Sequence, residues 1–169
     1  MFPNPNAQAS VISRLAEYFT THQQLIIAEW CRRVTADPAL PTVELSERAL
    51  LDHVPLILKD LTQTLRQYGS MAVAEQSGAD AEEHGKERWK QGFSLTHLLR
   101  EFHHLRAVLT EYLSSFEEMN PDFALAPRTF ALSTVNRFLD AMMTESCEQF
   151  VTRQNSAFQE VANRAAPPQ

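Results

Sequence analysis

The amino-acid sequence predicts a single all-α domain, a helical bundle with a long C-terminal helix. Three observations carry this. Apolar residues recur at intervals of three and four through most of the chain, the period of a helix with one buried face. Most of the four glycines and nine prolines fall between those stretches, where they punctuate helices. No strict alternation of the kind a half-buried strand needs is present, and no internal repeat. With 169 residues, 44% of them hydrophobic, the chain can bury about two-thirds of its unfolded surface and needs no disulfide or metal to hold a core.

From Ala7 to Ala36 the stripe Ile12, Leu15, Phe19, Leu25, Ile26, Trp30 and Val34 predicts helix, with a break near Thr20 and Thr21. Asp37 to Ser46, with Pro38 and Pro41, reads as a loop, and Ser46 as the N-cap of the next segment. That segment runs to about Tyr68. Pro55 disfavours helical geometry at Val54, so a leading turn should hand over to a new helix there, with Leu51, Val54, Leu58, Leu61 and Leu65 buried.

Ala72 to Gln91 carries alternating charges and few large apolar groups, a helix that Gly92 ends. Ser94 caps the clearest helix of the chain, in which Leu95, Leu98, Leu99, Phe102, Leu105, Leu109, Tyr112, Leu113 and Phe116 keep helical spacing to about Glu118. After Asn120-Pro121, Pro127 suits the first turn of a last helix, and from Arg128 to Ala166 neither Gly nor Pro occurs. Those residues would span ~58 Å as one helix, so it must kink, fray or project.

Charge and cysteine content narrow the function. The 15 basic side chains are scattered among 21 acidic ones, a net charge of −6, which speaks against a surface that tracks nucleic-acid phosphates. Cys31 and Cys147 match no metal-binding spacing and read as core thiols of a reducing compartment. No stretch approaches 18 apolar residues and the N-terminus lacks the export pattern, so a cytoplasmic location without membrane insertion is expected.

Six histidines invite a search for catalysis: His22, His53, His84, His97, His103 and His104. Glu101 and His104 have the E-x-x-H spacing of di-iron bundles, but the motif occurs once where two are needed. There is no phosphate-binding glycine loop, nucleophile elbow or H-E-x-x-H helix. No catalytic residue, metal or cofactor is therefore expected. Residues 102–109 resemble the phosphoacceptor box of histidine kinases, with His103 as acceptor; His104 stands where that box carries an acid. Phosphotransfer through His103 is the alternative this leaves open.

Helical-wheel geometry singles out a polar group. On the central helix Arg106 falls about 60° from the centre of the apolar face at 100° per residue, close enough to require a carboxylate or carbonyl partner. Glu101 lies at the margin of that face, and His84 and Arg88 share one side of the preceding helix. A cluster of His84, Arg88, Glu101 and Arg106 at the helix junction is expected, with Trp89 and Phe93 lining it. It could be a structural salt-bridge network or a ligand- or signal-sensing site. Gly85 should permit close helix packing. On the last helix Val135, Leu139, Met142, Ser146 and Phe150 are spaced as a helix-pairing seam would be, and equally as a core stripe would be.

These residues also carry a resemblance. His84-Gly85-x-x-Arg88, Gly92-Phe93-Ser94-Leu95, Leu98-Leu99, Glu101-Phe102 and Leu105-Arg106, with Trp30 and the stretch Asp52-His53-Val54-Pro55 upstream, resemble the N-terminal sensor domain of RsbRD-type proteins, the RsbT co-antagonists of the bacterial stressosome. The resemblance covers roughly residues 20 to 150. It implies a helical, non-haem, globin-like sensory domain that forms a homodimer and precedes an output domain or serves a partner signalling protein, a kinase or an anti-sigma-factor antagonist. Haem ligation by His84, His97, His103 or His104 is accordingly not expected. With the Pro/Asn-rich and Ala/Pro-rich ends read as disordered from composition, the expected organisation is a disordered segment over 1–8, a helical sensor domain over 9–163, and a disordered tail or linker start over 164–169. In that setting Val135, Leu139, Met142 and Phe150 would serve dimerisation and transmission, and the stop at Gln169 would be either a boundary with an output domain or the end of a free-standing relative.

Overall fold

Helix boundaries fall where backbone hydrogen bonding changes hands, and the computed structural model shows this over residues 5–40, 54–67 and 77–165, the residues it describes. Helix α1 (Pro5–Thr21) and α2 (Gln23–Ala36) are followed by α3 (Val54–Arg66), α4 (Ser77–Lys90), α5 (Leu95–Met119) and α6 (Leu125–Ala165). No strand occurs among the described residues. The all-α architecture and the long last helix are as the periodicity predicts.

The first helix begins inside the stretch expected to be disordered, at Pro5, whose fixed φ and missing amide donor suit a first turn. The break between α1 and α2 falls at His22, one residue beyond the expected pair. Its ring Nδ1–H donates to the Tyr18 carbonyl at 2.8 Å, and its own carbonyl accepts from Ile26 at 3.0 Å. The chain bends there with few hydrogen bonds lost. On α2 the buried face is Ile26, Ile27, Trp30 and Val34, while Leu25 is exposed, a correction to the predicted stripe. Ser46, Leu51, Asp52 and His53 lie outside the described residues. Helix α3 begins at Val54, beside Pro55, and buries Val54, Ile57, Leu58, Leu61 and Leu65.

The turn between α4 and α5 is built by two local devices. Gly92 has φ 76°, the left-handed conformation that glycine adopts without strain. Its amide donates to the Trp89 carbonyl at 3.0 Å and the Phe93 amide to the Arg88 carbonyl at 3.0 Å, the paired bonds that close a helix C-terminus. Ser94 then opens α5: its hydroxyl accepts from the His97 amide at 3.2 Å, and its own amide donates to His97 Nδ1 at 3.1 Å. His97 thus takes the place of the usual glutamate in a capping box.

The α5–α6 turn is closed by Asn120, whose side chain donates to the Phe116 carbonyl at 2.8 Å, and by Phe123, edge-on to Phe116 in the core. Helix α1 packs on α3, α2 on α5, and α6 lies across α4 and α5. The 41 residues of α6 span ~61 Å at 1.5 Å per residue. The stretch from Ala131 to Phe150 carries the buried stripe Ala131, Val135, Phe138, Leu139, Met142 and Phe150, and Ser146 is fully buried with them. From Val151 onward nearly every described side chain is exposed, Phe158 and Val161 among them. The last helix therefore projects.

Candidate functional site

Glu101 sits on α5 two turns beyond the N-terminal cap, and α4 runs back past it because the Gly92 turn reverses the chain. Three of the four expected cluster members meet there. Arg88 Nε donates to Glu101 Oε2 at 2.7 Å, and the His84 Nε2 atom lies 3.6 Å from the same oxygen. His84, Arg88 and Glu101 are all buried, with 2%, 1% and 1% of their surface exposed, so the charges are held out of water. Burial pushes the Glu101 carboxyl up, but neighbouring His84 and the Arg88 guanidinium outweigh it and hold its pKa below the ordinary glutamate value.

Further contacts fix this arrangement. Arg88 Nη1 donates to Gln91 Oε1 at 2.7 Å, and its guanidinium carbon stands 5.2 Å from the centre of the Phe93 ring. The Trp30 indole N–H donates to the Glu101 backbone carbonyl at 3.1 Å, tying α2 to the same turn of α5. The His84 ring meets Phe102 edge-on with centroids 5.4 Å apart. Beside His84, a Cβ placed on Gly85 would lie 2.2 Å from the Ser146 backbone carbonyl oxygen. Gly85 therefore lets α4 touch the backbone of α6, the close packing expected of it.

Arg106 is not part of the cluster. It bonds instead to Asp140 of α6, in a pair whose side chains are 31% and 56% exposed. The wheel angle was right about partial burial, but about one and a half turns further along α5 the facing helix is α6, not α4. Phe93 is buried against Arg88 as expected, and Trp89 is half-buried against the core.

The stripe Val135, Leu139, Met142 and Phe150 lies in the chain's own core, at 2%, 0%, 2% and 2% exposure, so it is not a free pairing face. Of the two readings its spacing allowed, the core reading holds. The projecting end has another stripe, Val151, Phe158 and Val161, seven and three residues apart and exposed.

The remaining histidines separate. His103 is exposed, and His104 Nε2 lies 2.9 Å from Asp37 Oδ2, which also accepts from Arg100 Nη1 at 3.1 Å. The Asp37 carboxyl is lowered to about 2 by His104, the Ala39 amide and Arg100. Glu101 and His104 thus serve different partners despite their E-x-x-H spacing. Among the described residues no group of three or more His, Cys, Asp or Glu could hold a metal ion. Cys31 and Cys147 form no disulfide. No helix among the described residues is long and apolar enough to cross a membrane.

Sequence reasoning missed Gln91, Asp37 and Asp140. All three act across or beyond the helix that carries their partner, so only Gln91, three residues after Arg88, left a local spacing signal.

No curated protein and no solved structure matches the chain. Residues 24–165 match the family described as the RsbT co-antagonist protein rsbRD N-terminal domain, and the match spans α2 to α6. The cluster of His84, Arg88 and Glu101 lies inside the matched region, as do Gly85 and its contact with Ser146. The chain belongs to the RsbT co-antagonist protein rsbRD N-terminal domain family, a family of regulatory domains.

Proposed function

We propose that the chain is a non-catalytic sensory and regulatory domain of a bacterial signal-transduction protein, acting in a stressosome-type co-antagonist or ahead of a histidine kinase. It works as a homodimer in the cytoplasm and passes its signal along α6 to an output domain or partner signalling protein. One observation carries this reading. The inner half of α6 touches the α4 backbone beside the buried cluster, and its outer half leaves the domain with an apolar face exposed. A displacement of α4 against α5 is then transferred to α6, since packed helices shift as rigid elements.

Family membership supports the regulatory role. The stripe Val151, Phe158 and Val161 supports pairing of two α6 ends, because a solvent-exposed heptad-spaced face on a helix is stabilised by a second helix. The dimer seam of this proposal is thus the outer stripe, in place of Val135, Leu139, Met142 and Phe150.

Light scattering coupled to size-exclusion chromatography tests this. The full chain is expected at twice its own mass, and Phe158→Glu at the mass of one chain with unchanged helicity. A monomeric wild type, or a Phe158→Glu dimer as stable as wild type, would contradict it. A second reading, an interaction scaffold that takes no ligand, draws support from the small size of the cavity beside the cluster, about 10 Å³.

A further inference from the structure

A buried carboxylate oxygen seeks a donor, and Glu101 has one oxygen to spare. Its Oε2 is taken by Arg88, whereas Oε1 is fully buried and has no hydrogen-bond partner among the described residues. Beside it is a cavity of about 10 Å³ with largely apolar walls from Trp30, Val54, Ile57, Phe102 and Leu105, and with Glu101 and His84 as its polar lining.

We propose that this cavity is a binding site for one internal water molecule, which donates a hydrogen bond to Glu101 Oε1. Size, polarity and charge each select that occupant. A water needs a cavity of roughly 10–15 Å³ with at least two polar groups, and the site meets both conditions. Anything with a carbon skeleton is too large. A cation of water size is disfavoured, because Arg88 already balances Glu101 and a second positive charge would be buried without a counter-charge. A buried carboxylate repels an anion. A neutral donor of one heavy atom remains.

The water would bind where four helices meet, since the lining comes from α2, α3, α4 and α5. It would sit between the apolar first turn of α3 and the polar pair His84 and Glu101. The inference stands apart from the regulatory reading, because hydration of the site can be measured without any output.

The experiment pairs oxygen-17 relaxation dispersion on the full chain with the same measurement on Val54→Ile, which adds one methyl-sized group to the cavity wall. The variant should show one long-lived internal water fewer than wild type. Equal counts in the two proteins would overturn the proposal. A crystal structure of the wild type gives a second reading that does not depend on the variant folding. It should place an ordered water about 2.7–3.0 Å from Glu101 Oε1. A side chain bonded to that oxygen, or featureless density in the cavity, would overturn it.

Discussion

Two arginines on opposite sides of the α4–α5 turn meet different fates. Arg88 is 1% exposed and bonded to a carboxylate that is itself buried, whereas Arg106 shares a partly exposed pair with Asp140. Both are charged pairs between neighbouring helices, and wheel geometry alone assigns both to one cluster. The difference shows that burial, not pairing, decides what a charge contributes. Water screens the outer pair and can replace either partner. At the inner pair, losing one partner strands the other in the core.

The largest effect is expected at the inner pair. Arg88→Met should lower unfolding free energy by about 3–5 kcal/mol in urea titration, because Glu101 loses its counter-charge in a buried site. Gly85→Ala comes next, at about 1–3 kcal/mol or somewhat more, since its methyl would collide with the Ser146 backbone and not with a side chain that can swing away. Gly92→Ala sharpens the contrast between close contact and backbone strain. There a Cβ meets nothing within 4 Å, and the cost, roughly 1–2 kcal/mol, comes only from the positive φ. Arg106→Met should be the smallest, below about 1 kcal/mol, and should shrink further in added salt.

Acid titration separates the two regions again. The folded-state pKa of Glu101 is depressed, so its contribution is fully present above the unfolded value of about 4.5 and is lost as pH falls through the lower folded value. Asp37 behaves in the same sense, losing its contribution as pH falls from about 3.8 toward 2. In circular-dichroism melts, Glu101→Gln should flatten the fall in stability below pH 4.5, while Arg106→Met leaves that limb unchanged.

Most helices were legible because their information is local. Gly92 and Ser94 mark the α4–α5 turn by a left-handed backbone and a cap, each readable from residue type. The break at His22 was missed by one residue because no Gly or Pro marks it; a side chain that can bond the Tyr18 carbonyl suffices. The members His84, Arg88 and Glu101 were legible from spacing, the first two four residues apart on one side of α4 and the third at the margin of the apolar face of α5. Their partners were only partly so, because a wheel gives an angle about one helix axis and says nothing of which helix stands opposite at that height. Arg106 is the consequence. Core and pairing stripes likewise share one spacing, so Val135, Leu139, Met142 and Phe150 could not be told from a dimer seam until their burial was seen. Phe158 and Val161 carried the better signal, an apolar pair three residues apart in an otherwise polar helix end.

The central claim is that the buried cluster couples α4 and α5 to α6. Hydrogen-exchange mass spectrometry of Glu101→Gln against wild type, with Arg106→Met as the control, tests it most directly. Faster exchange is expected in 84–90 of α4 and in 142–150 of α6, where Gly85 meets Ser146, with neither change in the control. Faster exchange confined to the α5 turn around residue 101 would contradict the claim.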